Sequence, residues 1–322
     1  MMLFFAAAFE VAADNKPSVK IVHIGDSLSA GNGASEYYAE GWYGPKYCFR
    51  NKYNWGQQAA NIAFDDVFSV TYTNAACSGG KVADIEESRI LPDNSCSPST
   101  SSDHTVGPRR WFGGCENKVR PQIDAIGQHT DYVFLTMGVN ELGYLNVLMR
   151  CIFTGPDGGY VTIEPYGTFG GSTKDCVDAT KHGFEYVAKF MANDYKKILT
   201  LITDKMNPDA KLIVASYPHL VLLDEGNSRN TGIRNLIDVA TQKQREVIDD
   251  FNAALVKEGK KEMVSLYTGA SDSFAGKEAV IGRNPITAMP PPNKDGYFVE
   301  YRNPFHLIGG RMAFMRVRLC II

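Results

Sequence analysis

The sequence has no run of 18 or more apolar residues, so no membrane-spanning helix is expected. It has no Cys-x-x-Cys pair, which removes zinc-ribbon and thioredoxin-type sites. It has no Asn-x-Ser/Thr sequon, so N-glycosylation is not expected. Neither sign of charge dominates. Lys and Arg number 33 against 36 Asp and Glu, and a net charge of -3 offers no footprint for nucleic acid or for an anionic membrane surface. No phosphate-loop lysine motif occurs. Gly31-Asn32-Gly33 starts like a dinucleotide fingerprint, but Glu36 stands where the third glycine is required.

What is present is an ordinary globular composition, 44% hydrophobic and 21% charged, over 322 residues. That length buries a large core without staples and fits one α/β unit with insertions. Met1 to Ala13 (MMLFFAAAFEVAA) is apolar and closed by small residues. It reads either as the remnant of a secretory signal or as a frayed start, which sets 1–16 apart from a single domain at 17–322.

Seven cysteines are present, and six of them (Cys48, Cys77, Cys96, Cys115, Cys151 and Cys176) precede residue 177. They lie among Gly, Ser, Pro and Asn, which suggests disulfides tying loops in an oxidising, extracytoplasmic compartment. Buried free thiols in a cytosolic enzyme are the alternative. Neighbour pairing gives Cys48–Cys77, Cys96–Cys115 and Cys151–Cys176, one of about 15 pairings that six cysteines allow. Cys320 is left over.

Short β-rich runs predict five strands: Val19 to Ile24, Val67 to Tyr72, Tyr132 to Met137, Lys211 to Ala215 and Met263 to Tyr267. Between them, Gly56 to Phe64 predicts a short helix. Phe184, Val187, Met191, Tyr195, Ile198 and Ile202 share one face of a helix over 178–205, and a further helix is expected near 235–257. Strands alternating with amphipathic helices predict a three-layer α/β/α sandwich around a flavodoxin-like parallel five-stranded sheet. Two polar, Gly- or Ser-rich excursions, near 88–117 and 150–176, read as insertions outside the core. Sites in such sheets form outside the carboxyl ends of the strands.

The loops after the strands carry chemistry-bearing residues. The first strand ends in Gly25-Asp26-Ser27-Leu28-Ser29-Ala30-Gly31. Ser27 there is either a nucleophile at a helix N-terminus or a simple helix cap. After the second strand comes Ala76-Cys77-Ser78-Gly79-Gly80, where a glycine lets a backbone N–H approach a substrate. After the third comes Gly138-Val139-Asn140-Glu141, and an Asn amide is a good oxyanion donor. Near the end, Asn303-Pro304-Phe305-His306 places a histidine in a loop, where a neutral imidazole can take a proton from serine. Tyr37, Tyr38, Trp42 and Tyr43 follow the serine loop. They either line an apolar acyl channel or pack as core or lid.

Taken in this order, the four segments resemble the SGNH (GDSL) hydrolase family from about residue 18 to 316. Tyr217-Pro218 and the cysteine before Ser78-Gly79 are similar to the family's secreted, disulfide-containing lipase and esterase branch, which implies a Cys48–Cys77 bridge. The resemblance implies a serine ester hydrolase with Ser27 as nucleophile, His306 as base, and Ser27, Gly79 and Asn140 as oxyanion hole. It implies a lipid or small-molecule ester substrate, with no metal and no organic cofactor. Carbohydrate O-acyl esterase and an impaired scaffold that binds acylated ligands are the alternatives. The family's Asp three residues before its histidine is Asn303 here, and its Asp after the asparagine is Glu141. The Asn303 carbonyl, Asp295 or Glu300 would then orient His306. Asp26 is expected to brace its loop rather than react.

Overall fold

A computed structural model describes residues 16–32, 34, 41–91, 109–111, 114–116, 118–151, 160–163, 167–170, 173–219, 221 and 228–274. Its centre is a parallel sheet of β1 (Ser18–Gly25), β2 (Ser69–Asn74), β3 (Tyr132–Thr136), β4 (Lys211–Ala215) and β5 (Val264–Tyr267). The spatial order is β2-β1-β3-β4-β5, the flavodoxin-like order, in which the chain reverses direction across the sheet between β1 and β3.

The strand residues alternate between two apolar layers, as a period of two requires. On one face Val19, Ile21 and Phe134 pack against Ala59, Ala60 and Phe64 of α2 (Trp55–Phe64). On the other, Val22, Ile24, Val133, Leu135, Leu212 and Val214 belong to a larger cluster. It takes in α3 (Tyr144–Cys151), α4 (Thr173–Lys189), α5 (Met191–Lys205) and α6 (Ser228–Lys257). The architecture is the three-layer α/β/α sandwich expected. From Ile21 to Gly25 both faces of β1 are buried, which is why this stretch reads as mainly apolar rather than as an alternating pattern.

Several boundaries differ from the sequence reading. The second strand starts at Ser69, because Phe64 accepts backbone bonds from Val67 and Phe68 and Val67 stays exposed in that turn. The helix expected over 178–205 is two helices, α4 and α5, separated at Phe190. The apolar stripe runs through the break because Phe190 N–H still bonds Tyr186 and Asp194 N–H bonds Phe190. The helix near 235–257 begins earlier, at Ser228.

The excursion near 150–176 is also not wholly outside the core. Cys151 closes α3, Cys176 lies within α4, and both are buried and bonded to each other. Between them Tyr160–Ile163 pairs with Gly167–Gly170 as a hairpin. The excursion near 88–117 is closed at its base by Arg89–Ile90 pairing with Lys118–Val119. Within it Arg109–Trp111 pairs with Gly114–Glu116. Cys48 and Cys77 are bonded, both buried. Cys96 lies outside the described residues, as do residues 1–15 and Cys320. No helix among the described residues is long and apolar enough to cross a membrane.

Candidate active site

Ser27 opens a four-residue helix, α1 (Ser27–Ala30), directly at the carboxyl end of β1. Asp26 is its N-cap, accepting the Leu28 N–H at 3.0 Å, and Gly31 ends it in the left-handed region. The helix is pinned from beneath. Ser29 is fully buried, its hydroxyl 2.7 Å from that of Thr136 and accepting the Thr136 N–H at 3.0 Å. Ser27 itself stays partly exposed, on the solvent side of that anchor.

The Asp26 carboxyl points inward. Oδ1 accepts from the Thr136 hydroxyl at 2.8 Å, and Oδ2 accepts from the Tyr217 hydroxyl. Burial outweighs these bonds and pushes its pKa up to about 6. Asp26 therefore serves as a brace between β1, β3 and the segment after β4. Tyr217 also grips the turn after β3, since its oxygen accepts the Val139 N–H at 3.1 Å.

Gly79 follows β2. Its φ of +73° is one that only glycine adopts freely, while a side chain there would meet nothing closer than Arg89 Nη1 at 3.7 Å. Glycine at 79 is thus a demand of the backbone, not of space. The opposite holds at Gly80, where a Cβ would lie 2.7 Å from the Gly25 carbonyl oxygen. The turn is held from three sides. Ser78 N–H bonds the Cys48 carbonyl at 3.0 Å, Asn32 Nδ2 bonds Ser78 Oγ at 2.8 Å, and Arg89 donates to the Ser78 carbonyl at 2.7 Å. Arg89 also pairs with Asp84 at 3.1 Å.

Asn140 follows β3, and its side-chain amide donates to the Gly80 carbonyl at 2.7 Å. Glu141 reaches the same segment, accepting the Val82 N–H at 2.7 Å. Burial raises the Glu141 pKa. The Asn140 turn and the Gly79 turn are therefore bonded at two successive residues. The turn rests on Tyr195, whose hydroxyl donates to the Met137 carbonyl and accepts from Gln244.

Ser27, Gly79 and Asn140 thus stand at the carboxyl ends of three adjacent strands, β1, β2 and β3, with direct bonds joining the second turn to the third. His306 and Asn303 lie outside the described residues, as do Asp295, Glu300, Tyr37 and Tyr38. Trp42 and Tyr43 form a short strand against Arg50–Asn51, with the Trp42 ring 5.0 Å from that of Phe49. His219 pairs with Asp238 at 2.7 Å, and His23 is buried against Asn54 and Tyr72. Among the described residues no group of His, Cys, Asp and Glu converges as a metal-ligand set.

Sequence reading missed Gln122, Arg50, Arg89 and Thr136, which hold the three turns together. The Gln122, Arg50 and Arg89 side chains bond backbone atoms distant in sequence, and the Thr136 hydroxyl bonds the Asp26 carboxyl and the Ser29 hydroxyl; no local pattern marks such partners.

No protein-family model matches the sequence, and no curated protein matches it. Solved structures do. The chain is similar to an extracellular lipase from Streptomyces rimosus at 15% identity and a TM-score of 0.52, over 88% of this chain and 92% of that one. It is similar to a phospholipase A1 from Streptomyces albidoflavus at 18% identity and a TM-score of 0.50, over 81% and 83%. With the strand order and its covering helices, this likeness shows that the chain shares the three-layer α/β/α fold of these two structures.

Proposed function

We propose that the chain is a serine ester hydrolase in which Ser27 is the nucleophile and His306 its general base. One observation carries the reading: Ser27 sits at a helix N-terminus between two glycine- and asparagine-bearing turns that are bonded to each other through Asn140 and Gly80. One Asn140 N–H is held by the Gly80 carbonyl, which leaves the other for a substrate oxygen.

Ser27 Oγ attacks the ester carbonyl carbon while His306 takes the hydroxyl proton. The tetrahedral oxyanion is held by the N–H groups of Ser27 and Gly79 and by the Asn140 amide. His306 returns the proton to the leaving alcohol, and water then releases the acyl group by the same route. Asn303 offers a backbone carbonyl to orient His306. Asn303→Asp is accordingly neutral or activating, and a collapse in activity would give the Asn303 amide a direct role.

Lipid acyl esters are the substrate class placed first, because the two similar structures are a lipase and a phospholipase A1. Two buried disulfides support an oxidising, extracytoplasmic setting. The test is initial rates on p-nitrophenyl esters of two to sixteen carbons, wild type beside Ser27→Ala. Serine-dependent turnover supports the hydrolase, and the chain-length optimum separates lipase from short-chain or carbohydrate esterase. A folded protein without turnover at any length moves the weight to the acyl-binding scaffold.

A further inference from the structure

The parallel ladder between β1 and β2 is broken at one rung, directly before the nucleophile turn. Ala75 N–H bonds the His23 carbonyl at 2.7 Å and Cys77 N–H bonds the Gly25 carbonyl at 3.1 Å, as the register requires. A regular ladder would also send the Gly25 N–H to the Ala75 carbonyl. Instead the Ala75 carbonyl accepts from Arg50 Nη2 at 3.1 Å, and the Gly25 N–H donates to Gln122 Oε1 at 2.6 Å. Gln122 Nε2 donates back to the Gly25 carbonyl at 2.9 Å. Its planar amide thus matches both polar groups of one glycine, 97 residues away, and is almost wholly buried while doing so.

The clamp has a second neighbour. A Cβ on Gly80 would lie 3.2 Å from Gln122 Nε2, so the amide also abuts the turn that carries Gly79 and accepts from Asn140. We infer that Gln122 is a positioning residue that grips both polar groups of Gly25 at the catalytic edge and thereby sets Ser27 against the Gly79 turn. Its catalytic consequence rests on the hydrolase reading above; the clamp itself does not. Without the clamp the Gly25 N–H loses its partner, and the Gly25 carbonyl that accepts the Cys77 N–H at 3.1 Å is free to shift, which moves the Gly79 turn with it. Displacements near 1 Å at such a site cost about 10²-fold.

The experiment compares full-length wild type, Gln122→Met and Gln122→Glu by kcat, KM and pH profile on a p-nitrophenyl ester. Amide hydrogen exchange is followed in peptides spanning 24–30, 77–82 and 211–215. Gln122→Met is expected to lower kcat by about 10- to 100-fold with little change in KM. Exchange quickens at 24–30 and 77–82 and not at 211–215. In Gln122→Glu a neutral carboxyl both accepts from and donates to Gly25, whereas a carboxylate only accepts. Its kcat relative to wild type therefore falls as pH rises through the ionisation of the introduced carboxyl. Unchanged exchange at both peptides, or a Gln122→Glu profile parallel to wild type at full kcat, overturns the inference. If wild type turns over no ester, the hydrolase reading fails and exchange alone decides the clamp.

Discussion

The Tyr217 hydroxyl donates to the Asp26 carboxyl across 191 positions of sequence, and both groups are buried. Tyr217 also accepts the Val139 N–H. One phenol oxygen therefore couples the residue before Ser27 to the residue before Asn140.

Tyr217→Phe removes both bonds and leaves a buried carboxyl and a buried N–H each short of a partner. The expected loss is about 2–3 kcal/mol, read by urea unfolding. Tyr217 donation lowers the Asp26 pKa, so the variant raises it further. A raised carboxyl pKa penalises the ionised form, so the variant should lose more stability at pH 8 than at pH 4.5. An equal loss at both values would contradict the bond to Asp26.

Asp26 also gives the wild type a signed pH dependence. Its pKa rises from 3.8 to about 6, so between those values the folded protein keeps a proton that the unfolded chain has released. Stability from this group is present at acid pH and falls as pH rises through that window, by about 3 kcal/mol. Buried His23 acts oppositely, since its pKa falls from 6.5 to about 3 and protonation opposes folding as pH drops below 6.5. His23 is common to wild type and Asp26→Asn and cancels in their difference. Wild-type stability minus that of Asp26→Asn should therefore decline from pH 4 to 6 and flatten above 7.

Asn140→Ala removes a proposed oxyanion donor and its bond to Gly80. We expect kcat to fall by about 10²–10³-fold. KM should change little, because the donor works chiefly in the transition state. A rise in KM at constant kcat would instead make Asn140 a ground-state contact.

The two disulfides should separate by function. Each closes a loop of similar length, 29 and 25 residues, so replacing either pair by alanine should cost about 3–4 kcal/mol. Of these four cysteines only Cys48 and Cys77 touch the Gly79 turn proposed to hold the oxyanion, through the Cys48 carbonyl bonded by the Ser78 N–H and through Cys77 preceding Ser78. The Cys48→Ala, Cys77→Ala double variant should therefore also lose kcat at temperatures where it is folded, and the Cys151→Ala, Cys176→Ala variant should not. Equal effects on kcat would remove the distinction.

Reading the sequence succeeded where the signal was local. The five strands are short apolar runs ending in glycine-, cysteine- or proline-containing turns, and each run maps onto a strand to within two residues at its start. That Ser27, Gly79 and Asn140 stand in the turns after three different strands was legible because each comes within a few residues of its strand's end. The break between α4 and α5 was not legible, because Phe190 leaves the apolar period intact on both sides. Cys151 and Cys176 read as loop residues from the glycines around them, yet both face a core that forms only when α3 packs on α4.

By itself the sequence determined the element types, the parallel class of the sheet and which turns carry polar chemistry. Apolar periodicity and turn residues act over a few positions, and those forces are written in order along the chain. Tertiary structure alone decided that β1 lies between β2 and β3. That order brings the turns after positions 25, 74 and 136 to one edge. It also decided which distant side chains hold them: Gln122 on Gly25, Arg50 on Ala75 and Tyr217 on Asp26. Each is a polar group removed from water, and burial makes an unmatched hydrogen bond costly enough to require its partner.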